Sequence, residues 1–445
     1  MSTPPSTPSW NLTFPPACAS LRLMASILAL LLAFAVAADA KDKKKKKDTK
    51  QYTVGQVVAK KLTKVQEAMA LEQWAVAMEE LETLERRADK GRLQDHERAL
   101  VYQFLSLIQA AQENYKVSVE YMEKCLKQEA LPEAAQLTMM YNVAQIHLAL
   151  EQYPEAISAL KRWFRRTEKR TPHAYYLLAV AYYQQSELDK ALRPATRAVK
   201  LAEKPTQAWL QMLVGLHLYG DRYEEALPHV ETLVAYFPKK VYYLQLSALY
   251  NQLEFEQKAF AVMQLAYEQG FLTLDRELRR LGEMYLYHGL PYRAAVLMDQ
   301  AIEEEKVLAD EKSLELLANS WIMAREMNRA VAPLVQAAEL AEKGDLYIRL
   351  GQVYLEREEY RSASDALAKG LERGVDKGEG NAHLLLGITY YNEQKVTSAR
   401  RSFRAARKFD ESEEPALLWI QMLDREKERA AREAERLAEQ TELAS

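Results

Sequence analysis

Small residues recur along this chain at a nearly regular interval, each close to the start of an apolar helical stripe. The interval is roughly 33 to 41 residues over ten copies. Apolar residues stand four and seven places after many of these small residues, as Leu81 and Leu84 do after Ala77, which puts them on one face of a helix. Each small residue is therefore predicted to anchor the second helix of a two-helix unit; the ten anchors are Ala77, Ser118, Ala156, Ala191, Ala226, Ala259, Ala294, Ala330, Ala363 and Ala399.

A second set of positions predicts a first helix ahead of each anchor. An aromatic residue commonly stands nine places before the anchor, as at Tyr285 and Tyr354. Glycines such as Gly351 would let the two helices approach each other closely. A single pair cannot bury its apolar faces alone, so neighbouring pairs are expected to stack and complete one another's core. An irregular all-α protein with chance periodicity is the alternative, and ten copies in one register count against it.

The repeated unit resembles the tetratricopeptide repeat, a helix–turn–helix motif with a period of about 34 residues. One copy reads Tyr347, Leu350, Gly351, Tyr354, Tyr360, Ala363, Leu367 and Gly370. The resemblance covers roughly residues 55–410 and implies an all-α fold, a superhelical solenoid of about ten helix–turn–helix repeats with a C-terminal capping helix. The first two units depart from the motif: Ser118 and Cys125 replace the usual alanines, and only the second helix of the first unit is clear.

The N-terminal segment, residues 1–40, has the composition of a secretory signal peptide. Its apolar run from Met24 to Ala38 ends in a small–x–small pattern of the kind that signal peptidases cleave. We expect export to the periplasm, with cleavage before Lys41. The alternative is an uncleaved segment that anchors the protein in the inner membrane.

Three further segments follow the signal segment. Residues 41–53 are rich in lysine and are expected to form a disordered spacer, because a run of like charges repels itself. A weak contact between Lys43–Lys47 and an anionic membrane surface stays open, and the same charge counts slightly against export. Residues 54–410 are expected to form the solenoid, and residues 411–445 a capping helix with a charged C-terminal tail.

The composition gives no sign of nucleic-acid binding or of catalysis. The formal net charge is -3, so no basic surplus favours nucleic acid. The seven histidines form no metal-binding pattern, and the glycines at Gly374, Gly378 and Gly380 follow no predicted strand, as a phosphate loop would require. We therefore expect a protein that is not an enzyme and has no catalytic residue, metal or cofactor. Cys125 is expected to be a buried, inert thiol.

The candidate binding surface is the face of the first helices that lies away from the second helices. In this repeat class the first helices line a concave groove, and residues between the core positions face it. Tyrosine and arginine are enriched at binding hot spots. The register gives a groove set of Tyr141, Gln145, Tyr176, Tyr183, Gln184, Gln211, Tyr219, Asn251, Gln252, Arg279, Tyr287, Gln352, Tyr391 and Asn392. About half of the tyrosines are expected to wedge units together instead.

Some members of the family hold the C-termini of chaperones with a lysine–asparagine carboxylate clamp. The positions where its asparagines would stand are Gln145, Ala248, Glu283 and Gln352 in this chain. The sequence therefore predicts no such clamp.

The plan of the whole chain resembles that of exported tetratricopeptide proteins encoded with TonB–ExbB–ExbD systems of gammaproteobacteria. Part of that resemblance lies between Thr53 and Ala77, with Gln56, Val57 and Trp74 among its residues. It implies a non-enzymatic protein-interaction scaffold in the cell envelope, an accessory of TonB-dependent outer-membrane transport that contacts TonB, ExbB or ExbD. Two alternatives remain open: a scaffold for outer-membrane, pilus or polysaccharide-export assembly, and an accessory whose activity lies in its partner.

Overall fold

The structure is a computed structural model that describes residues 52–443, with side chains as far as Arg436. All regular secondary structure in this part of the chain is helical, and it contains no strand. The predicted signal segment and residues 41–51 of the predicted spacer lie outside the described residues. None of the described helices combines the length and the apolar character that crossing a membrane requires.

Twenty helices form ten consecutive pairs, and a long helix follows them. The pairs are α1 (Gln56–Ala70) with α2 (Trp74–Asp89), α3 (Asp95–Ala111) with α4 (Tyr115–Lys127), α5 (Glu133–Ala149) with α6 (Tyr153–Arg166), α7 (Pro172–Gln184) with α8 (Leu188–Leu201), α9 (Gln207–Tyr219) with α10 (Tyr223–Tyr236), α11 (Lys240–Gln252) with α12 (Glu256–Glu268), α13 (Asp275–Tyr287) with α14 (Pro291–Glu303), α15 (Glu311–Met323) with α16 (Met327–Leu340), α17 (Asp345–Glu356) with α18 (Tyr360–Arg373), and α19 (Glu379–Asn392) with α20 (Val396–Ala406); the last helix is α21 (Glu413–Leu443). The predicted all-α repeat fold is thus confirmed. The first repeat, of which only the second helix was clear in the sequence, contains both of its helices.

Every predicted anchor lies at the same place in its pair. Each second helix begins three residues before its anchor, so Trp74 opens α2 ahead of Ala77. All ten anchor side chains are fully buried. Hydrogen bonds in two pairs join the anchor to the residue twelve places earlier on the first helix: the hydroxyl of Ser118 donates to the carbonyl of Ser106 at 2.7 Å, and the hydroxyl of Ser247 donates to the carbonyl of Ala259 at 3.0 Å. A small residue is needed where the two helices approach this closely.

Glycines at that first-helix position act as sockets for large side chains of the second helix. A Cβ atom added to Gly351 would lie 2.5 Å from Cγ of Leu367, and one added to Gly387 would lie 2.5 Å from the ring of Phe403. The same arrangement recurs at Gly282, at 3.2 Å from the side chain that fills it. At Gly351 and Gly387 a larger residue would overlap the partner, whereas at Gly282 the side chain of Met298 would have to shift slightly.

The turn inside each pair is closed by one residue with positive φ. Glycine fills this place once, at Gly289, with φ of 70°. The other nine turns use Glu72, Glu113, Glu151, Ser186, Asp221, Glu254, Arg325, Glu358 and Gln394. The N–H of the following residue then donates back into the first helix, as Asn114 does to the carbonyl of Gln109 at 2.8 Å. This bond satisfies a carbonyl that the helix end would otherwise leave open.

The chain divides into two compact units. The first runs to Pro238 and also holds Gln252–Glu254, and the second comprises Lys239–Asn251 and the residues from Phe255 onward. Each unit is built from the same helix pairs, with successive pairs packed on one another.

In the second unit, the first part of α21 covers the last pair. The ring of Trp419 stacks on that of Phe403 with centroids 5.3 Å apart, and Ala416 and Leu423 are buried. From Asp424 onward every described side chain is exposed. The apolar beginning of α21 is therefore the cap that a solenoid needs, and the charged remainder extends from it.

A buried carboxylate ties two successive first helices of the second unit. Glu277 of α13 accepts hydrogen bonds from the N–H groups of Thr273 and Leu274, and it pairs with Nζ of Lys240 on α11 at 2.7 Å. Burial acts to raise the pKa of Glu277, but the bonds from Lys240 and the two N–H groups outweigh it, so the pKa lies below its usual range. The ionised side chain thus caps one helix and holds another.

Candidate protein-binding face of the first helices

The predicted groove set lies entirely on first helices, namely α5, α7, α9, α11, α13, α17 and α19. Thirteen of its fourteen side chains are at least partly exposed. This follows from the register, because the core residues of each first helix turn towards its own second helix and the neighbouring pairs.

Gln145 differs from the sequence expectation, because it is only 5% exposed. The five consecutive residues Asn142–Ile146 are all buried, so α5 has no open side at this level. Periodicity within one helix cannot show how far the neighbouring pairs enclose it. Gln145 is therefore part of the interior and not of the binding face.

An aromatic cluster joins three successive first helices of the first unit. The hydroxyl of Tyr141 on α5 lies 2.6 Å from Nδ1 of His173 on α7. On the next step, Tyr176 stacks on Trp209 of α9 with ring centroids 5.4 Å apart. Burial raises the pKa of Tyr141 and Tyr176 and lowers that of His173, so all three are neutral near pH 7. Two tyrosines of the groove set therefore pack between neighbouring helix pairs, as expected for part of the set.

His173 and Trp209 belong to this face although neither is part of the predicted groove set. Trp209 lies 33 residues after Tyr176, close to one repeat length. That spacing is the signal that could have placed it in the groove set.

Arg279 has a similar structural role in the second unit. Its guanidinium forms an ion pair with Asp275 on its own helix and another with Asp310, the cap of α15, at 3.1 Å. It also donates to the hydroxyl of Ser313 at 3.3 Å. Burial acts to raise the pKa of Asp310, but the bonds from Ser313 and the charge of Arg279 hold it below the usual range. Arg279 therefore links α13 to α15, and its charge is already compensated.

Tyr391 is held by the capping helix. Its hydroxyl donates to Glu426 at 2.9 Å, and its ring meets that of Trp419 edge to face at 5.4 Å between centroids. The neighbouring Asn392 is exposed, and its amide donates to the carbonyl of Ile388 at 3.0 Å. Of this pair, Asn392 is the residue that a partner could reach more easily.

Seven successive first helices, from α7 to α19, each end in an exposed side chain. We call these seven residues the end row; Gln184, Tyr219 and Gln252 belong to the first unit, and Tyr287, Met323, Glu356 and Asn392 belong to the second. All seven are exposed. Tyr219 and Tyr287 are 68% and 73% exposed. Five of the seven belong to the predicted groove set; Met323 and Glu356 do not, and they carry neither an amide nor a phenol.

The other members of the groove set are Tyr183, Gln211, Asn251 and Gln352. Asn251 and Gln352 are exposed, whereas Tyr183 and Gln211 are half-buried. Burial raises the pKa of Tyr183. These side chains add polar contact area beside the end row.

Two further features of the described residues concern metal binding and thiol chemistry. Among these residues, no group of three or more histidine, cysteine, aspartate or glutamate side chains could hold a metal ion. Cys125 is buried, its thiol lies 3.1 Å from the carbonyl of Ala99, and burial raises its pKa to about 12. A thiol with so high a pKa is protonated at neutral pH and is a poor nucleophile.

Sequence profiles of the tetratricopeptide repeat match residues 99–130, 141–208 and 348–414. In these three segments the chain carries tetratricopeptide repeats. The matched segments include Tyr141, His173 and Tyr176 of the aromatic cluster, and the last segment ends just inside α21. No match was found among curated protein sequences.

Several solved tetratricopeptide structures resemble parts of the chain. YrrB, described as a tetratricopeptide protein with an unusual peptide-binding site, is 19% identical over 38% of this chain and 85% of its own, with a TM-score of 0.32. A tetratricopeptide repeat protein from Parabacteroides merdae is 20% identical over 57% of this chain and 98% of its own, with a TM-score of 0.29. The TPR2AB domain of yeast Sti1, in its pHSP90 complex, is 13% identical over 60% of this chain and 99% of its own, with a TM-score of 0.31. Scores this low carry no conclusion about what the present chain binds.

Proposed function

We propose that this tetratricopeptide protein is a non-enzymatic scaffold that binds a partner polypeptide along its first helices. The observation that carries the proposal is the end row, above all the exposed rings of Tyr219 and Tyr287. Tyrosine combines a large apolar area with a hydroxyl, so a partner that covers such a ring removes apolar surface from water and can keep the hydroxyl bonded. Buried aromatic anchors of this kind carry most of the energy of an interface.

The proposal also has a cellular setting, which rests on the sequence alone. The signal-like residues 1–40 support export to the periplasm, and the resemblance to TonB-associated tetratricopeptide proteins supports a role beside TonB, ExbB or ExbD. In that setting the chain is an accessory of outer-membrane transport that acts through protein contacts. N-terminal sequencing of the protein from the envelope fraction should give Lys41 as the first residue; a product that starts at Met1 in the cytosol contradicts export.

The binding face is tested by replacing both exposed tyrosines of the end row, Tyr219→Ala and Tyr287→Ala, in the full chain. The matched control replaces Tyr236 and Tyr292, which are 77% and 50% exposed but lie on second helices. We expect the first variant to recover partners from envelope extracts at least about tenfold less well, since losing a hot-spot side chain costs on the order of 2 kcal/mol. The control variant should recover them as the wild type does.

Circular dichroism should show equal helix content in both variants, because all four side chains are exposed. Equal recovery by the two variants would remove the end row as the binding face. Recovery without any TonB, ExbB or ExbD, together with unchanged TonB-dependent uptake after deletion of the gene, would remove the transport role and favour an assembly scaffold.

A further inference from the structure

One cavity of the second unit borders the groove set. It has a volume of about 300 Å³ and lies between α11 and α13, with the start of α12 as a third wall. Its lining consists of Asn251, Glu256, Arg280, Glu283, Met284, Tyr287 and His288. The volume is at the lower end of the range for ligand pockets, about 300–1,000 Å³. The cavity is therefore of a size for one or two side chains of a bound polypeptide.

Two of its walls are fixed by contacts within the unit. The hydroxyl of Tyr287 donates to Oε2 of Glu256 at 3.0 Å, which joins the end of α13 to the start of α12. The ring of His288 stacks on that of Phe260 with centroids 4.2 Å apart. Because these walls are held by existing contacts, a ligand would find the shape already formed.

Three polar side chains of the lining are unpaired. Asn251, Arg280 and Glu283 take part in no hydrogen bond or ion pair in the described structure. Arg280 and Glu283 are three residues apart on α13, yet they do not pair with each other. The cavity thus presents two carboxylates, those of Glu256 and Glu283, and a single guanidinium. Two negative charges against one positive charge favour a cationic ligand.

We propose that this cavity is a pocket for a lysine or arginine side chain of the bound polypeptide, an inference that rests on the function proposed above. The charged head of that side chain lies between Glu256 and Glu283, and its methylene stem runs along Met284 and the exposed ring of Tyr287. Long basic side chains combine an apolar stem with a charged head in this way, and an aromatic face attracts the cation as well. Arg280 repels the head and directs it towards the carboxylates, while its own N–H groups remain free for a backbone carbonyl of the partner.

In the test, the full chain is immobilised and used to select binders from random twelve-residue peptides displayed on phage. The affinity of a selected peptide is then measured by calorimetric titration. We expect the selected peptides to share a lysine or arginine at one position. Replacing that residue by alanine should weaken binding roughly 10- to 100-fold, as the loss of a charge-assisted hydrogen bond does. Glu283→Gln should weaken binding to a similar extent.

Arg280→Gln is the matched variant, because it changes one charge of the same pocket in the opposite sense. This variant should bind a basic peptide with a severalfold lower dissociation constant. Both replaced side chains are exposed, so circular dichroism and melting temperature should not move.

Each outcome of this experiment decides between the inference and the broader proposal. If no peptide is selected by the wild-type chain, the proposed function fails and the pocket assignment fails with it. If peptides are selected without a basic residue, or bind Glu283→Gln as well as the wild type, the pocket assignment is overturned while the scaffold function stands. If the selected peptides are acidic and Arg280→Gln weakens their binding, the cavity binds carboxylates and the assignment is likewise overturned.

Discussion

Gly289 is a position where the backbone conformation of one residue can be tested separately from its packing. It closes the turn between α13 and α14 with φ of 70°, and a Cβ atom added there would meet no atom within 4 Å. Gly289→Ala should therefore lower the free energy of unfolding by about 1 to 2 kcal/mol through backbone strain alone. Urea unfolding followed by circular dichroism measures the change, and an alanine variant as stable as the wild type would show that the turn relaxes freely.

The socket at Gly351 makes a prediction about a pair of residues. Gly351→Ala should cost about 1 to 3 kcal/mol, because the new methyl group would overlap Leu367. Leu367→Ala alone should cost about 2 to 5 kcal/mol by leaving a cavity. In the double variant the new methyl group occupies part of the vacated space, so the loss should be smaller than the sum of the two single losses. Additive losses in chemical unfolding would indicate that the two positions do not share one space.

At the level of helices, the pair formed by α9 and α10 contains two stacked histidines. The rings of His217 and His229 lie 5.8 Å apart between centroids, and Nδ1 of His217 is buried without a hydrogen bond. Burial lowers the pKa of both; the charge of Glu225 acts against this at His217, and that of Arg222 adds to it. The folded state therefore binds fewer protons than the unfolded chain in which histidine has a pKa of about 6.5.

This difference in proton binding fixes the direction of the pH dependence. The contribution of the pair to stability is fully present above about pH 6.5, and it is lost as the pH falls from there through the lower folded-state values. We expect His229→Gln to reduce the drop in melting temperature between pH 7 and pH 5, because one of the two perturbed groups is removed. An unchanged drop would mean that other groups, such as His173 and His383, dominate the titration in this range.

The helices were predictable from the sequence because each depends on contacts with residues nearby in the chain. The ten anchors and the glycine at Gly351 fall where spacing alone placed them, since the second helix folds back on the first within one repeat. The exposure of individual groove residues depends on the neighbouring pairs. Gln145 is enclosed by them and Arg279 is paired with Asp310, which lies about one repeat away. Single-helix periodicity contains no information about either contact.

For the molecule as a whole, the C-terminal helix separates a stabilising part from a solvated part. A chain that ends at Phe409 loses Trp419 and exposes the ring of Phe403, which is fully buried in the intact protein. A chain that ends at Lys427 keeps this cover, and the described side chains that it lacks, as far as Arg436, are all exposed. The shorter chain should unfold at a lower temperature and tend to aggregate, because an uncapped repeat leaves apolar surface in water.

The longer truncation should melt within a few degrees of the full chain and remain in solution. Differential scanning calorimetry and light scattering of the two truncated proteins provide the comparison. Equal stability of both would show that the cap contributes nothing, whereas equal loss would show that the charged extension also supports the fold.

The glycine sockets have a consequence for engineering. A glycine and the side chain that fills it stand sixteen residues apart, on the two helices of a single repeat, as Gly387 and Phe403 do. A repeat moved as a block into another solenoid brings both partners with it. A chimaera joined within the turn between the two helices would instead place the glycine opposite a side chain from a different protein. Junctions placed between repeats preserve this fit, so the natural module for recombination in this chain is the complete helix pair.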